Sequence, residues 1–217
     1  MSKIPVVERI MSQHDRVAIR NRALLDARGV HAINVMASPG AGKTCFILAT
    51  AERLGNRLRL GVIEGDLASS VDADKVRAVG LPAVQINTGG NCHLDAIQVG
   101  QALAQLPLEE MDLLFIENVG NLVCPATFAL GEHTRLAISS IPEGDDKPFK
   151  YPFIFANVDV LILNKMDLLP YIPFDVEAFY RTVRGLNPDI AIFPVSCVTG
   201  EGLDAWVEWL LQRVQRP

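Results

Sequence analysis

Cys92 and His93 stand side by side in Asn87–Ala96, NTGGNCHLDA, directly after two glycines. In a strand, adjacent side chains point to opposite faces, but in a turn that opens a helix both reach one ion. A tight site needs a third ligand. Cys124, in the later stretch LVCP (Leu122–Pro125), supplies one if spatially neighbouring strands bring it to the pair. Thiolate and imidazole together suit Zn²⁺ or Ni²⁺, tetrahedral for zinc and often square-planar for nickel. The competing reading is two packed cysteines and a surface histidine.

A second run, ASPGAGKT (Ala37–Thr44), matches the phosphate-binding pattern G-x-x-x-x-G-K-S/T except that Ala37 replaces the first glycine. Backbone N–H groups along Gly40, Ala41 and Gly42 can curl around phosphate oxygens, with the dipole of the following helix aimed at them. Lys43 then reaches the β/γ-phosphates and Thr44 ligates Mg²⁺. Cys45 follows as the last residue of this nucleotide-binding run, and its side chain is expected to pack in the core. Two strand-end acids, Asp66 in EGD and Glu117 in ENVG, are candidates to approach the same Mg²⁺ and the attacking water. A Gly120 amide beside them can sense the γ-phosphate.

The third stretch, Asn164–Asp167 (NKMD), selects the base. The Asp167 carboxylate accepts from guanine N1–H and the exocyclic amine, a pair of donors adenine lacks, and polar pairing of this kind discriminates by about 10⁴ or more. Asn164 holds the loop, and the Lys165 stem covers the base. Ser196 and Cys197 form a loop of the type whose backbone N–H reads guanine O6. The charged run Glu143–Pro148 is expected to be solvated, with Lys147 a candidate nucleotide or subunit contact. GTP is therefore the expected nucleotide.

These residues need strand ends to position them. Short apolar runs at 32–36, 58–63, 83–86, 112–116, 136–141, 158–163 and 190–195 alternate with helical patterns, and near-continuous Val/Ile/Leu runs mark strands covered on both faces. The expected class is α/β, a P-loop NTPase with a mostly parallel central sheet and helices on both faces, whose ligand lies at the carboxyl ends of the strands. Residues 1–30 read as an N-terminal helical extension, with Val7, Ile10, Met11, Val17, Leu24 and Leu25 on an amphipathic pattern, and 31–217 as one GTPase domain. A net charge of −5 gives no basic field for nucleic acid or an anionic membrane, and the apolar residues, 49% of the chain, nowhere run long enough to span a bilayer. The chain is expected to be cytoplasmic, its four scattered cysteines free thiols or metal ligands.

Together SPGAGKT, EGD, NTGGNCHLDA, ENVGNLVCP, EGDDKP, NKMDLLPY and VSCVTGEGLDAW resemble the HypB family, nickel-incorporation GTPases of nickel–iron hydrogenase maturation, from about Asn34 to Leu210. The resemblance implies a SIMIBI-class GTPase, slow and coupled to metal handling, that binds Ni²⁺ or Zn²⁺ at Cys92, His93 and Cys124. It implies delivery of nickel to the hydrogenase large-subunit precursor, homodimerisation driven by nucleotide or metal, and a nickel-handling partner, the zinc protein HypA. Some relatives carry Cys-rich or His-rich N-terminal nickel motifs; the first 44 residues here hold His14, His31 and no cysteine, so nickel storage there is not expected. The alternatives are a urease-type accessory GTPase, whose typical Cys-Pro-His motif this chain lacks, a metal reservoir with vestigial GTPase activity, and a metal-free regulatory switch.

Overall fold

The computed structural model describes residues 6–66 and 71–214, with side chains from 13 to 66 and from 73 to 214. Pro5 and the side chains of Val7, Ile10 and Met11 in the expected first helix lie outside that set. Each of the seven apolar runs is a strand: β1 His31–Ala37, β2 Leu60–Asp66, β3 Ala83–Asn87, β4 Leu113–Glu117, β5 Thr134–Ser140, β6 Val160–Asn164 and β7 Ala191–Pro194. Between and around them lie α1 Val6–Arg28, α2 Lys43–Leu54, α3 Val71–Ala78, α4 Ala96–Leu103, α5 Lys147–Lys150, α6 Pro152–Ala156, α7 Val176–Leu186 and α8 Leu203–Arg213. The strands form one sheet in the order β3-β2-β4-β1-β5-β6-β7, parallel at every described pairing. β1, which feeds the phosphate loop, is central.

Both faces of the sheet are buried because side chains alternate along each strand. Ile33 and Val35 of β1 join Phe46 and Ile47 of α2 and Trp206 and Val207 of α8 in one core. Ala32 faces the opposite side with Leu25 of α1 and Val99 of α4, and Met36 joins Phe155 of α6 and Phe179 of α7 there. The Trp206 indole N–H donates to Thr50 Oγ1 at 3.0 Å, so the largest buried side chain leaves no polar atom unsatisfied. α1 is seated on this second face, with Leu25 fully buried and the buried Asn21 amide donating to Ala96 O at 2.8 Å and Leu130 O at 2.9 Å.

One expectation needs correction. The strands preceding the Cys92–His93 pair and Cys124, β3 and β4, are not neighbours, because β2 lies between them. The chain after β3 instead crosses the end of β2, and Gly65 makes room for it: a methyl group at position 65 would sit 2.7 Å from Leu94 Cδ1. Gly65→Ala should cost about 1–3 kcal/mol by overpacking, and Leu94→Ala about 2–5 kcal/mol by cavity formation. Urea unfolding of the double variant should show a loss well below the sum of the two. Additivity within about 0.5 kcal/mol would mean that the two residues do not meet.

Candidate functional site

The phosphate loop is held open by two glycines in the left-handed region, Gly40 at φ 79° and Gly42 at φ 100°. A side chain at position 42 would also strike Asn164 Nδ2 at 2.6 Å. Gly42 caps α2 without a side-chain acceptor, so the helix's first N–H groups are available to an anion. The Thr44 hydroxyl donates to Glu117 Oε1 at 3.0 Å, and Lys43 Nζ lies 3.8 Å from the same oxygen. Hydroxyl and carboxylate oxygens are the hard donors Mg²⁺ takes, and the pair fits that ion. A methyl group at Gly120 would lie 3.0 Å from Pro39 Cγ, so the segment after β4 rests against the phosphate loop. Asp66 ends β2, and its carbonyl accepts Thr88 N–H at 2.9 Å, which places it at the root of the loop carrying Cys92. Glu64, buried and in register with Glu117 across β2 and β4, was not singled out from the sequence, although an acid directly at the end of an apolar run is a usable signal.

Two side-chain placements depart from expectation. Cys45 is exposed, not packed in the core, because it lies on the outward side of the first turn of α2. The 143–148 segment is half-buried apart from the buried Pro148: Lys147 Nζ reaches Ser38 Oγ in the phosphate loop at 3.4 Å and Glu143 Oε1 at 3.5 Å.

On the other side of β1, the residues expected to read the base converge. The Asn164 amide donates to Ala41 O at 3.0 Å, while its Oδ1 accepts Lys165 N–H at 2.7 Å and the Cys197 thiol at 3.2 Å. Lys165 adopts φ 62°, uncommon for a residue with a Cβ, and its Nζ donates to Gly40 O at 2.7 Å. The Ser196 hydroxyl donates to Asp167 Oδ1 at 2.6 Å and accepts Thr199 N–H at 3.1 Å, fixing the carboxylate against the last loop. Burial, followed by the neighbouring Cys45 thiol, pushes the Cys197 thiol up to about 12.

Cys92, His93 and Cys124 form the third cluster, their ligand atoms all within 4.8 Å of one another. The pair sits in a turn that opens a helix, as expected: Asp95 caps α4 by accepting Gln98 N–H at 2.8 Å, and the Gln98 side chain returns the bond to Asp95 N–H at 3.1 Å. Cys92 Sγ lies 3.7 Å from His93 Nδ1. A hydrogen bond with Cys92, with burial adding to it, raises the Cys124 thiol, so ion capture there must displace a proton. Burial lowers His93, which keeps its imidazole neutral and able to coordinate. Neighbours unrecognised in the sequence hold these ligands. The His93 ring stacks on Phe128 at 4.4 Å and 6°, Phe128 O accepts from Arg135 at 3.1 Å, and Asn121 Nδ2 donates to Cys92 O at 3.4 Å. Asn118 Oδ1 accepts Leu94 N–H at 2.9 Å.

Residues 31–194 match the family model described as the CobW/HypB/UreG nucleotide-binding domain. The hydrogenase maturation factor HypB of Azotobacter vinelandii is 53% identical over 93% of this chain, which spans 66% of that protein's length. Among solved structures, HypB from Archaeoglobus fulgidus superposes with a TM-score of 0.88 at 38% identity, covering 94% of this chain and all of that one. HypB from Helicobacter pylori, solved in complex with nickel, gives 0.90 at 36% identity, covering 93% of this chain and 95% of that one. A nucleotide-binding family model that covers most of the chain, and relatives this similar along nearly all of it, place the phosphate loop on the central strand in a known family: the chain belongs to the HypB family of hydrogenase maturation factors.

Proposed function

We propose that this protein is a GTP-hydrolysing nickel metallochaperone that delivers nickel to the precursor of a nickel–iron hydrogenase large subunit. The observation that carries this reading is the convergence of Cys92, His93 and Cys124 within 4.8 Å, on the loops that follow β3 and β4, the latter strand lying beside the one that feeds the phosphate loop. The names of its relatives, and the nickel in the Helicobacter pylori structure, support the cargo. Soft sulfur and imidazole ligands bind zinc as well as nickel, so Zn²⁺ is the competing ion. The protein works in the cytoplasm as a slow GTPase that dimerises with nucleotide or metal and receives nickel from a HypA-type partner; no described helix is long and apolar enough to cross a membrane.

In this reading residues 31–217 are the GTPase unit, and α1 is its helical extension. Asp167 pairs with guanine while Asn164, Lys165, Ser196 and Cys197 hold the base loops, and the Gly40–Cys45 backbone cradles the phosphates. Lys43 neutralises phosphate charge, and Lys147 adds a second cation beside Ser38. Mg²⁺, held by Thr44 with Glu117 and Asp66 alongside, supplies charge stabilisation for phosphoryl transfer. Because Gly120 abuts Pro39, a γ-phosphate acts on the segment that leads to Cys124. GTP binding and hydrolysis then change the geometry of the ligand set.

Asp167→Asn should weaken GTP binding by about 100-fold or more and favour xanthosine triphosphate, whose C2 carbonyl accepts from the new amide. Titration with labelled nucleotides reads this, and unchanged GTP affinity would remove Asp167 from the base site. Nickel affinity measured with GDP and with a non-hydrolysable GTP analogue should differ by about tenfold, a coupling of about 1.4 kcal/mol. Cys124→Ser should weaken nickel binding and abolish that difference; equal affinities in the two nucleotide states of the unaltered protein would falsify the coupling.

A further inference from the structure

The chain carries a second thiol pair, remote from the metal cluster in sequence. Cys45 follows Thr44 in the first turn of α2, and Cys197 follows Ser196 in the loop after β7. Cys45 and Cys197 are neighbours in space, the Cys45 thiol helping to raise Cys197, and Cys197 donates to Asn164 Oδ1 at 3.2 Å. Both line a cavity of about 600 Å³ that runs along α2 past Leu48, Ala49, Val79 and Leu81. Cys45 is exposed there and Cys197 half-buried, so a small oxidant reaches the pair from this side.

We propose that Cys45 and Cys197 are a redox-modification site, joined as a disulfide by a peroxide, and that the bond blocks guanine-nucleotide binding. The proposal rests on the GTP reading above. The Cys45 thiolate attacks a peroxide oxygen; the S–O bond forms as the O–O bond breaks, and hydroxide leaves. Cys197 then attacks the sulfenic sulfur, the S–S bond forms, the S–O bond breaks, and a second hydroxide leaves. With the two thiol protons the balance is two thiols plus one hydrogen peroxide giving one disulfide and two waters. Exposure makes Cys45 the first sulfur oxidised, while burial leaves Cys197 as the resolving thiol.

The consequence follows from what Cys197 touches. Bonding draws the sulfurs to about 2 Å and removes the S–H that donates to Asn164. Asn164 holds the phosphate loop through Ala41 O, and Ser196, next to Cys197, holds Asp167. One covalent bond therefore pulls on the phosphate clamp and on the base-reading carboxylate together.

The full chain is treated with hydrogen peroxide, then digested without reductant for mass spectrometry, and titrated with a fluorescent GTP analogue. Cys92→Ser/Cys124→Ser leaves Cys45 and Cys197 as the remaining thiols, and the wild type, mapped the same way, decides the matter if that variant does not fold. A linked peptide holding Cys45 and Cys197, with at least a tenfold loss of GTP affinity that dithiothreitol reverses, is expected. Adding Cys45→Ser should make affinity insensitive to peroxide relative to that variant's own reduced value. Absence of the linked peptide, or its presence with unchanged affinity, overturns the proposal. Reduced protein that binds no GTP overturns the nucleotide reading and the blocking half of this one, while the peptide map still reports on the bond.

Discussion

The arrangement depends on the buried side chain of Asn118. It follows Glu117 directly, and its backbone N–H donates to Val35 O of β1 at 3.0 Å, its Nδ2 to Asn34 Oδ1 at 3.2 Å. Its Oδ1 accepts Leu94 N–H and, at 3.0 Å, Val119 N–H. One residue therefore joins the strand that feeds the phosphate loop, the strand that carries the acid and the loop that carries Cys92 and His93. Leaving these buried donors unpaired would cost about 1–3 kcal/mol each, so the three segments are held in one register.

That register is what a metal site of three ligands from two loops requires. Loops between strands and helices carry few apolar contacts, and ordering them must overcome the entropy of the residues fixed. Here the work is distributed. Asn118 fixes the chain at Leu94, the Asp95–Gln98 capping box fixes the next turn, and Phe128 fixes the plane of the His93 ring. Along Asn121–Cys124, Leu122 is buried in the core with Met36 while Val123 is exposed, and the Asn121 side chain accepts Val123 N–H at 2.9 Å and donates to Cys92 O at 3.4 Å. Two of the ligands therefore sit on one braced turn, and the third on a segment joined to that turn through Asn121.

The seven strands and the residues at their carboxyl ends were legible because the five central ones, β1, β2, β4, β5 and β6, are buried on both faces and show a continuous apolar signal, while the half-buried edge strands β3 and β7 keep enough of it to be found. The phosphate and base loops were legible because the backbone conformations they need restrict residue type, as Gly42 against Asn164 illustrates. What was hidden depends on distant segments meeting. Gly65 looks like any strand glycine until Leu94 is placed over it, and nothing local says that the chain crosses β2 to bring Cys92 to Cys124. Cys45 was misjudged because apolar periodicity along α2 does not fix which side of its first turn faces outward. Phe128 and Asn118 have no pattern of their own, since their roles come from the residues they touch.

Strand order also decides what the metal cluster can sense. The groups proposed to read the base follow β6 and β7, the Cys–His–Cys cluster follows β3 and β4, and the phosphate loop follows β1 between them. A nucleotide laid across these ends has its base on one side and its terminal phosphate toward the other. The segment from Glu117 to Cys124 touches the phosphate loop at Lys43, Thr44 and Pro39. Asn164 and Lys165 join the proposed base loop to the phosphate loop through Ala41 O and Gly40 O, whereas no contact described above joins the base loop to the Cys–His–Cys cluster. In the proposed function the base loop sets which nucleotide enters and the terminal phosphate has the packed route toward the sulfurs, through Pro39 and Gly120, so that hydrolysis rather than binding alone resets the ligand geometry.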